Sequence, residues 1–380
     1  MSDPRSRPGA GTATERELSR QPEVWREAAG IVADRRAELT AFLEPLLAEP
    51  DLRIVLTGAG SSAFVGEVAA PALARRLHRR VEAVATTDLV SDPRGRLAED
   101  VPTLLVSFAR SGDSPESLAA TEIADQVLTR VHHLVITCAP EGRLARAHAG
   151  ETQSLVLLTP ARSNDEGFAM TSSFTSMLLS VLLVLLGDDP AAVEAVAEAG
   201  RQVLDARDRA EVFAARSPRR LVFLGSGPLA GIARESALKV LELTAGGIDT
   251  YFDSALGFRH GPKAVLDETT SVVVYASADP FTARYDDDIV RELRGAVGDD
   301  AVLTVRATGG GPTGEGTTDW VLTGLDGLDD AWLAVPFVLV GQLLALTASA
   351  RAGVATDDPF PSGAVNRVVQ GVTIHPLESH

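Results

Sequence analysis

The sequence predicts an α/β protein of two tandem units, each a parallel sheet with helices on both faces, an αβα sandwich. Three observations predict it. Short apolar runs alternate with longer stretches of helical period, the pattern of strands buried on both faces of a parallel sheet. Glycine-rich turns join each leading strand to its helix. The pattern also occurs twice: IVLTGAGSSAFVGEVAAPALA and LVFLGSGPLAGIARESALKVL share strand, Gly-x-Gly turn and helix, which reads as an internal duplication. The organisation expected is a tail and leading helical segment (1–49), a first unit (50–200), a second (201–355) and an extended C-terminal tail completing the site (356–380).

Taken in order, the chain up to about Glu15 is polar and Gly/Pro-rich and is expected to lack regular structure. From Pro22 to Leu47 the apolar positions, among them Val24, Trp25, Ile31, Val32, Leu39 and Leu43, fit one or two amphipathic helices. In the first unit LRIVLTG is a strand, GAGSS a tight turn and Ala63 to His78 a helix. VEAVATT, PTLLVSFA, HHLVITC and SLVLLTP are further strands, with a helix from Pro115 to Leu128. Met170 to Leu186 is a long apolar helix, and Ala191 to Ala215 reads as a connecting helix. The second unit opens with the strand Leu221 to Leu224, the turn Gly225-Ser226-Gly227 and a helix from about Leu229 to Ala245. Pro228 suits that helix's first turn, where its missing N–H costs nothing. SVVVYAS, AVLTVRA and DWVLTG are strands, with a helix around Asp288 to Val297 and a Gly/Thr-rich loop between them. Trp332 to Ala350 is a second long apolar helix, and a Pro-containing tail follows.

A chain of 380 residues has room for about two cores. The net charge of −17 argues against a nucleic-acid partner. It does not oppose a small phosphorylated ligand, because helix N-termini bind anions locally. The one cysteine, Cys138, excludes intrachain disulfides and multi-cysteine metal sites, and histidines at metal-ligand spacing are absent. No signal peptide is evident, and the apolar run Met177 to Leu186 is too short to span a bilayer. A cytoplasmic protein without membrane, metal or cofactor is expected.

Ligands of open parallel sheets sit beyond the carboxyl ends of the strands. Two loops there carry hydroxyls at helix starts: Gly58-Ala59-Gly60-Ser61-Ser62 and Arg110-Ser111-Gly112-Asp113-Ser114. Such loops suit a phosphate monoester; ordinary N-capping is the alternative. GAGSS lacks the third glycine of GxGxxG and the Gly-Lys-Ser/Thr end of a Walker loop. A third polar cluster, Asn164 to Ser176, precedes an apolar helix and offers Thr171, Ser172 and Ser173. The other unusual feature is lysine. Of 35 Lys plus Arg only Lys239 and Lys263 are lysine, and both lie in one segment with Glu242 and His260. Glu235, Lys239 and Glu242 share one helix stripe. This points to acid–base chemistry; the alternative is arginine bias with Glu235–Lys239 an exposed helix ion pair.

The motifs GAGSS, SFARSGDSPES and ALKVLEL…GFRHGP resemble the sugar isomerase (SIS) domains of phosphosugar enzymes over roughly residues 50 to 375. More narrowly, ATTDLVS, GFAMTSSFTSM, ARESALKVLELTAG, LGFRHGPK and PSGAVNRVVQGVTIHP resemble the AgaS group. These are the galactosamine-6-phosphate deaminase/isomerases, also labelled tagatose-6-phosphate ketose/aldose isomerases. The resemblance implies an isomerase and hydrolase class of activity: an amino-sugar 6-phosphate is isomerised and deaminated. By motif match to the isomerase half of glucosamine-6-phosphate synthase, it implies phosphate-binding hydroxyls at Ser62, Ser111 and Ser114, with Ser61 and Arg110 nearby. Glu242 would move the C1/C2 proton, with Lys239 lining the site. His260 would open the sugar ring, reaching in from the neighbouring subunit of a homodimer or larger assembly. Thr171, Ser172 and Lys263 are weaker substrate contacts. The chain departs from the relative at Ala109 and Met170, where the relative has ligand serines. It also lacks the relative's glutaminase cysteine, so ammonia release is expected rather than ammonia transfer from glutamine. A simple aldose–ketose isomerase and a non-catalytic sugar-phosphate sensor are the rival readings.

Overall fold

The structure, a computed structural model, describes residues 11–308, 318–369 and 371–378. The first ten residues and most of the Gly/Thr-rich loop lie outside the described residues. Two helices lead, α1 (Ala13–Asp34) and α2 (Arg36–Leu47). Then come β1 (Arg53–Thr57), α3 (Ser61–Leu77), β2 (Arg80–Ala83), α4 (Thr86–Ser91), α5 (Pro93–Arg96), β3 (Thr103–Ala109), α6 (Pro115–Val127), β4 (Val131–Thr137), α7 (Arg143–His148), β5 (Ser154–Leu158) and α8 (Ser172–Leu186). α9 (Pro190–Asp205) and α10 (Asp208–Ala214) replace the one connecting helix expected. The chain continues with β6 (Arg220–Gly225), α11 (Pro228–Leu243), β7 (Asp249–Asp253), β8 (Thr270–Tyr275), α12 (Thr282–Val297), β9 (Val302–Ala307), β10 (Asp319–Leu322) and α13 (Asp330–Arg351).

Two compact units result. One comprises Glu27–Asn164, Ser172–Asp189 and the chain from Ser362, and holds β1 to β5. The other comprises the chain up to Arg26, Asp165–Thr171 and Pro190–Pro361, and holds β6 to β10.

In the β1–β5 unit all neighbours pair in parallel, in the order β2-β1-β3-β4-β5. β1 and β3 are buried along their whole length, as their predominantly apolar sequences RIVLT and TLLVSFA favour. One face is covered by Leu89, Leu97, Ala120, Ala124 and Leu128 of the flanking helical segments, packed on Val55, Leu105 and Val131. α8 packs with α3 and buries its residues Ser172 to Leu185.

In the β6–β10 unit the order is β10-β9-β8-β6-β7, again all parallel. Val222, Leu224, Val272, Val274 and Val302 meet Ile289, Val290 and Leu293 of α12 on one face. α11 and α13 lie together, and Gly341 of α13 leaves no room for a side chain beside Ser236 of α11 and Tyr275. α13 is long and apolar enough to cross a membrane, but 94% of its most apolar 18-residue stretch is buried inside the protein. It is a core helix, longer than the Met177 to Leu186 run that the sequence singles out.

Read from the strand that precedes its first Gly-x-Gly turn, each sheet has the same strand order. The turns also match. Gly60 has φ +56° and ψ −129°, and Gly227 has φ +54° and ψ −128°, a region closed to other residues. A Cβ on Gly58 would lie 2.6 Å from the Ser62 backbone, and one on Gly225 would lie 2.3 Å from the Leu229 carbonyl oxygen. Both glycines of each turn are therefore required, one by approach and one by dihedral angle.

The β1–β5 unit also buries a histidine pair with a consequence for stability. His133 Nε2 is 2.9 Å from Asp125 Oδ1, His148 Nδ1 is 2.9 Å from Ser154 Oγ, and the two rings lie 4.6 Å apart. Burial, and then the neighbouring His133, push His148 down to about 4. The unfolded chain binds this proton near its ordinary value of 6.5 and the fold does not, so stability present above pH 6.5 is lost as pH falls towards 4. A shift of this size amounts to about 3 kcal/mol. Urea unfolding of the wild type and His148→Asn between pH 4 and 7.5 should show the wild type losing stability relative to the variant over that window. A constant difference would contradict the assignment.

Candidate active site

The serine turns occupy the carboxyl ends of β1 and β3, neighbours at the point where the strand order reverses. Ser61 and Ser62 form the first turn of α3, are buried, and follow Gly60 as N-cap. The first-turn amides of a helix lack intrahelical acceptors and carry partial positive charge, the requirement for anion binding. The second turn is held in shape by its own bonds. The Asp113 amide donates to Ser111 Oγ (3.3 Å), Arg143 N donates to Asp113 Oδ1 (3.0 Å) and Leu144 N to the Gly112 carbonyl (2.9 Å). Gly112 sits at φ +68°, and Ser114 caps α6 ahead of Pro115 with its hydroxyl 2.6 Å from that of Ser117. Arg110 is buried and donates from Nη2 to the Arg367 carbonyl (2.7 Å), so this guanidinium also fastens the C-terminal segment. Ala109 ends β3 and is buried.

The acid–base candidates lie on α11. Its sequence is mostly apolar, interrupted by Arg234, Ser236 and the stripe Glu235, Lys239 and Glu242, and the structure places the side chains of the stripe together. Lys239 Nζ is 2.5 Å from Glu242 Oε2 and 3.5 Å from Glu235 Oε1, with side-chain exposures of 1% for Lys239, 0% for Glu235 and 24% for Glu242. The gradient matters: the ammonium and one carboxylate are dry, and the other carboxylate reaches solvent. Glu235–Lys239 is thus not an exposed helix pair. A buried ammonium is tolerated only with close counter-charge, and two carboxylates supply it. Glu242 stands in the last turn of α11, at the negative end of the helix dipole. The ammonium offsets that charge. Thr244 completes the helix end, its hydroxyl donating to the Val240 carbonyl (2.7 Å) and accepting from Ile248 N (3.3 Å).

His260 follows a short 3₁₀ turn, Gly257–Arg259, and is exposed. Lys263 is paired with Glu292 of α12, which Arg259 also reaches at 2.9 Å. The second lysine therefore serves an ion pair in the same unit. Thr171 is buried: its amide donates to Asp165 Oδ2 (2.7 Å) and its hydroxyl to Asp165 Oδ1 (2.9 Å). Ser172 begins α8 and is buried. Sequence reasoning missed Glu235 as a member of the site, because a Glu–Lys pair four apart ordinarily marks a solvated face. The scarcity of other charge on this helix, where Arg234 is the one further charged residue, was the available signal.

Two parallel αβα units, one with hydroxyl-lined helix starts and the other with a buried ammonium between carboxylates, define the class, and residues 46–187 match the SIS domain family. The chain belongs to the AgaS family of SIS-domain proteins. It is 60% identical over 368 residues to an AgaS relative from Streptomyces coelicolor, covering 96% of this chain and 95% of the relative. It is 42% identical to the D-galactosamine-6-phosphate deaminase AgaS of Shewanella sp., covering 96% and 92%. The crystal structure of tagatose-6-phosphate ketose/aldose isomerase from Escherichia coli is 39% identical, covers 98% of this chain and 99% of that one, and superposes with a TM-score of 0.89. These names carry the deaminase and the isomerase of the sequence reading; the hydrolase class is not among them and is withdrawn.

Proposed function

We propose that the chain catalyses the isomerising deamination of an amino-sugar phosphate, D-galactosamine 6-phosphate giving D-tagatose 6-phosphate and ammonia. The observation that carries this is the solvent-reaching carboxylate of Glu242 held by a dry ammonium, in a chain 42% identical over nearly its whole length to a named D-galactosamine-6-phosphate deaminase. The substrate phosphate is held by the hydroxyls and helix-start amides of Ser61, Ser62, Ser111 and Ser114, with Arg110 adding charge. His260 transfers the proton that opens the ring. Glu242 removes the C2 proton of the open aldehyde and the C1 oxygen takes up a proton from solvent, leaving an enolamine with a hydroxyl on C1 and the amine on C2. Return of the proton to C1 gives a C2 imine, and addition of water releases ammonia and leaves the ketose. Lys239 offsets the negative charge that develops on the C1 oxygen. Each positioned acid–base group of this kind contributes about 10²–10⁴-fold. Thr171, Ser172 and Lys263 are secondary contacts, the last through the Glu292 pair.

Further parts of the reading follow from the same residues. The matched turns and strand orders support an ancestral duplication of one unit. His260 is exposed, as are the apolar Phe252 and Leu256 before it in the same unit, which supports its service to a second copy in a homodimer or larger assembly. Cys138, the one cysteine of the sequence, is buried, and this sparing use of cysteine supports a cytoplasmic enzyme. A second reading, aldose–ketose isomerisation without ammonia loss, is favoured by the 39% identity to the named tagatose-6-phosphate isomerase structure. A panel of hexosamine 6-phosphates separates them: ammonia should appear with galactosamine 6-phosphate. Interconversion of tagatose 6-phosphate with its aldose, and no ammonia from any amino sugar, would select the second reading.

A further inference from the structure

The segment Asp165–Thr171 runs into the hydroxyl cluster at the start of α8, and within the β6–β10 unit it is held by an unusual set of buried acids. Glu17 of α1 accepts from the amides of Glu166 (2.5 Å) and Gly167 (3.1 Å). Asp165 closes the same segment onto Thr171 through both carboxylate oxygens. Gln342 of α13 reaches the Thr171 carbonyl (3.5 Å) and accepts from Gln21 of α1 (2.7 Å). There is no slack at Gly167: a Cβ there would lie 2.6 Å from Thr14 Oγ1 and 3.1 Å from Glu17 Oε2. Every backbone group so held is local to the segment; Asp165 holds it from within, while Glu17 and Gln342 come from far away in sequence.

We propose that Glu17 is a positioning residue for the sugar-phosphate reaction: it shapes Asp165–Thr171 and thereby delivers the Thr171 and Ser172 hydroxyls to the substrate. This rests on the reading that those hydroxyls face the sugar. The acids give the device a pH dependence. Burial, and then the charge of Asp165, raise Glu17 to about 7, against its two amide donors and Arg20. Other charged groups of this region are Glu166, which Arg16 reaches at 3.9 Å, and Asp357, which accepts from Ala13 N and Thr14; from α13 the neutral Gln342 meets Gln21 and the Thr171 carbonyl. The fold favours protonated Glu17, so its contribution is complete below the ordinary value of 4.5 and is lost as pH rises through 7. Above that, two buried carboxylates repel and the segment loosens.

Two variants test this. Glu17→Gln keeps an acceptor oxygen and cannot titrate; Glu17→Ala removes the acceptor. Hydrogen exchange of the peptide covering 165–171, corrected for intrinsic rate, should lose protection in the wild type as pH passes 7. It should stay protected in Glu17→Gln, and be open at every pH in Glu17→Ala. The KM for galactosamine 6-phosphate should rise in step, about tenfold for Glu17→Ala with kcat little changed, the equivalent of one lost hydrogen bond. Exchange in Glu17→Gln that tracks the wild type across pH 7 would overturn the proposal. So would a segment that loosens in Glu17→Ala while KM stays put. Failure of the wild type to act on any phosphosugar would instead strike the proposed function, and the exchange measurement would still decide whether Glu17 shapes the segment.

Discussion

Glu242→Gln should bind galactosamine 6-phosphate about as well as the wild type and fail to turn it over. The substitution keeps the size of the side chain and one acceptor oxygen beside Lys239, but removes the group able to take a proton from carbon. The expected loss in kcat is about 10²–10⁴-fold, the ordinary range for a positioned base. Incorporation of solvent deuterium into the sugar should fall with it. Separate retention of binding matters, because the phosphate grip is assigned to Ser61, Ser62, Ser111 and Ser114 and not to α11. Deuterium exchange that persists in the variant would remove Glu242 from its role. Loss of binding alongside loss of turnover would mean that the carboxylate holds the sugar rather than acting on it.

Lys239→Met should be the most damaging single change to the fold among the site residues. The ammonium is 1% exposed and lies 3.5 Å from Glu235, itself fully buried, and 2.5 Å from Glu242. Methionine fills nearly the same space, so the packing loss is small. The electrostatic loss is not: Glu235 is left in a dry setting without the adjacent cation. Removing one member of a buried ion pair costs about 3–5 kcal/mol. At about 2–4 °C per kcal/mol for domains of this size, the melting temperature should fall by roughly 10 °C. The double variant Glu235→Gln with Lys239→Met should recover most of that loss, because its buried stripe is neutral at Glu235 and the two sites are coupled. Additive losses in the double variant would show that the pair is not the source of the effect. Activity should stay low in both, since Lys239 also faces Glu242.

Much of this architecture could be read from the residues. The strands of both sheets that carry uninterrupted apolar runs were legible, as were the two Gly-x-Gly turns, because those signals are local. β7 was not. It is an edge strand, its pattern is half-buried at best, and its sequence DTYFD carries charge at both ends. α4 and α5 were not legible either: the strand reading of VEAVATT took in only the first two residues of α4 and left α5 unassigned, because helices this short show no periodicity. The start of α1 was missed for a different reason. The helix opens at Ala13, nine residues before Pro22, which lies inside it. Its first amides are satisfied by Asp357, more than three hundred residues along the chain, and by Thr12. The part supplied by Asp357 leaves no mark in the neighbouring sequence, whereas Thr12 with Glu15 three residues on has the spacing of a capping box and was passed over. The α11 stripe shows the same limit: spacing placed Glu235, Lys239 and Glu242 on one face, but only the fold reveals that two of the three are buried. The arginine-rich background made Lys239 stand out, and did the same for Lys263, which the structure pairs with Glu292.

The central claim is that a carboxylate in contact with solvent moves a proton from C2 to C1 before ammonia leaves. Turnover of galactosamine 6-phosphate by the wild type in deuterium oxide, followed by NMR, tests it most directly. Glu242 is 24% exposed, so its acquired proton can exchange with solvent. The expected result is ketose 6-phosphate and ammonia formed one for one, with solvent deuterium at C1 of the ketose. Ketose whose C1 carries only the hydrogen that began at C2 would mean a direct hydride shift and contradict the account, as would ammonia released without ketose.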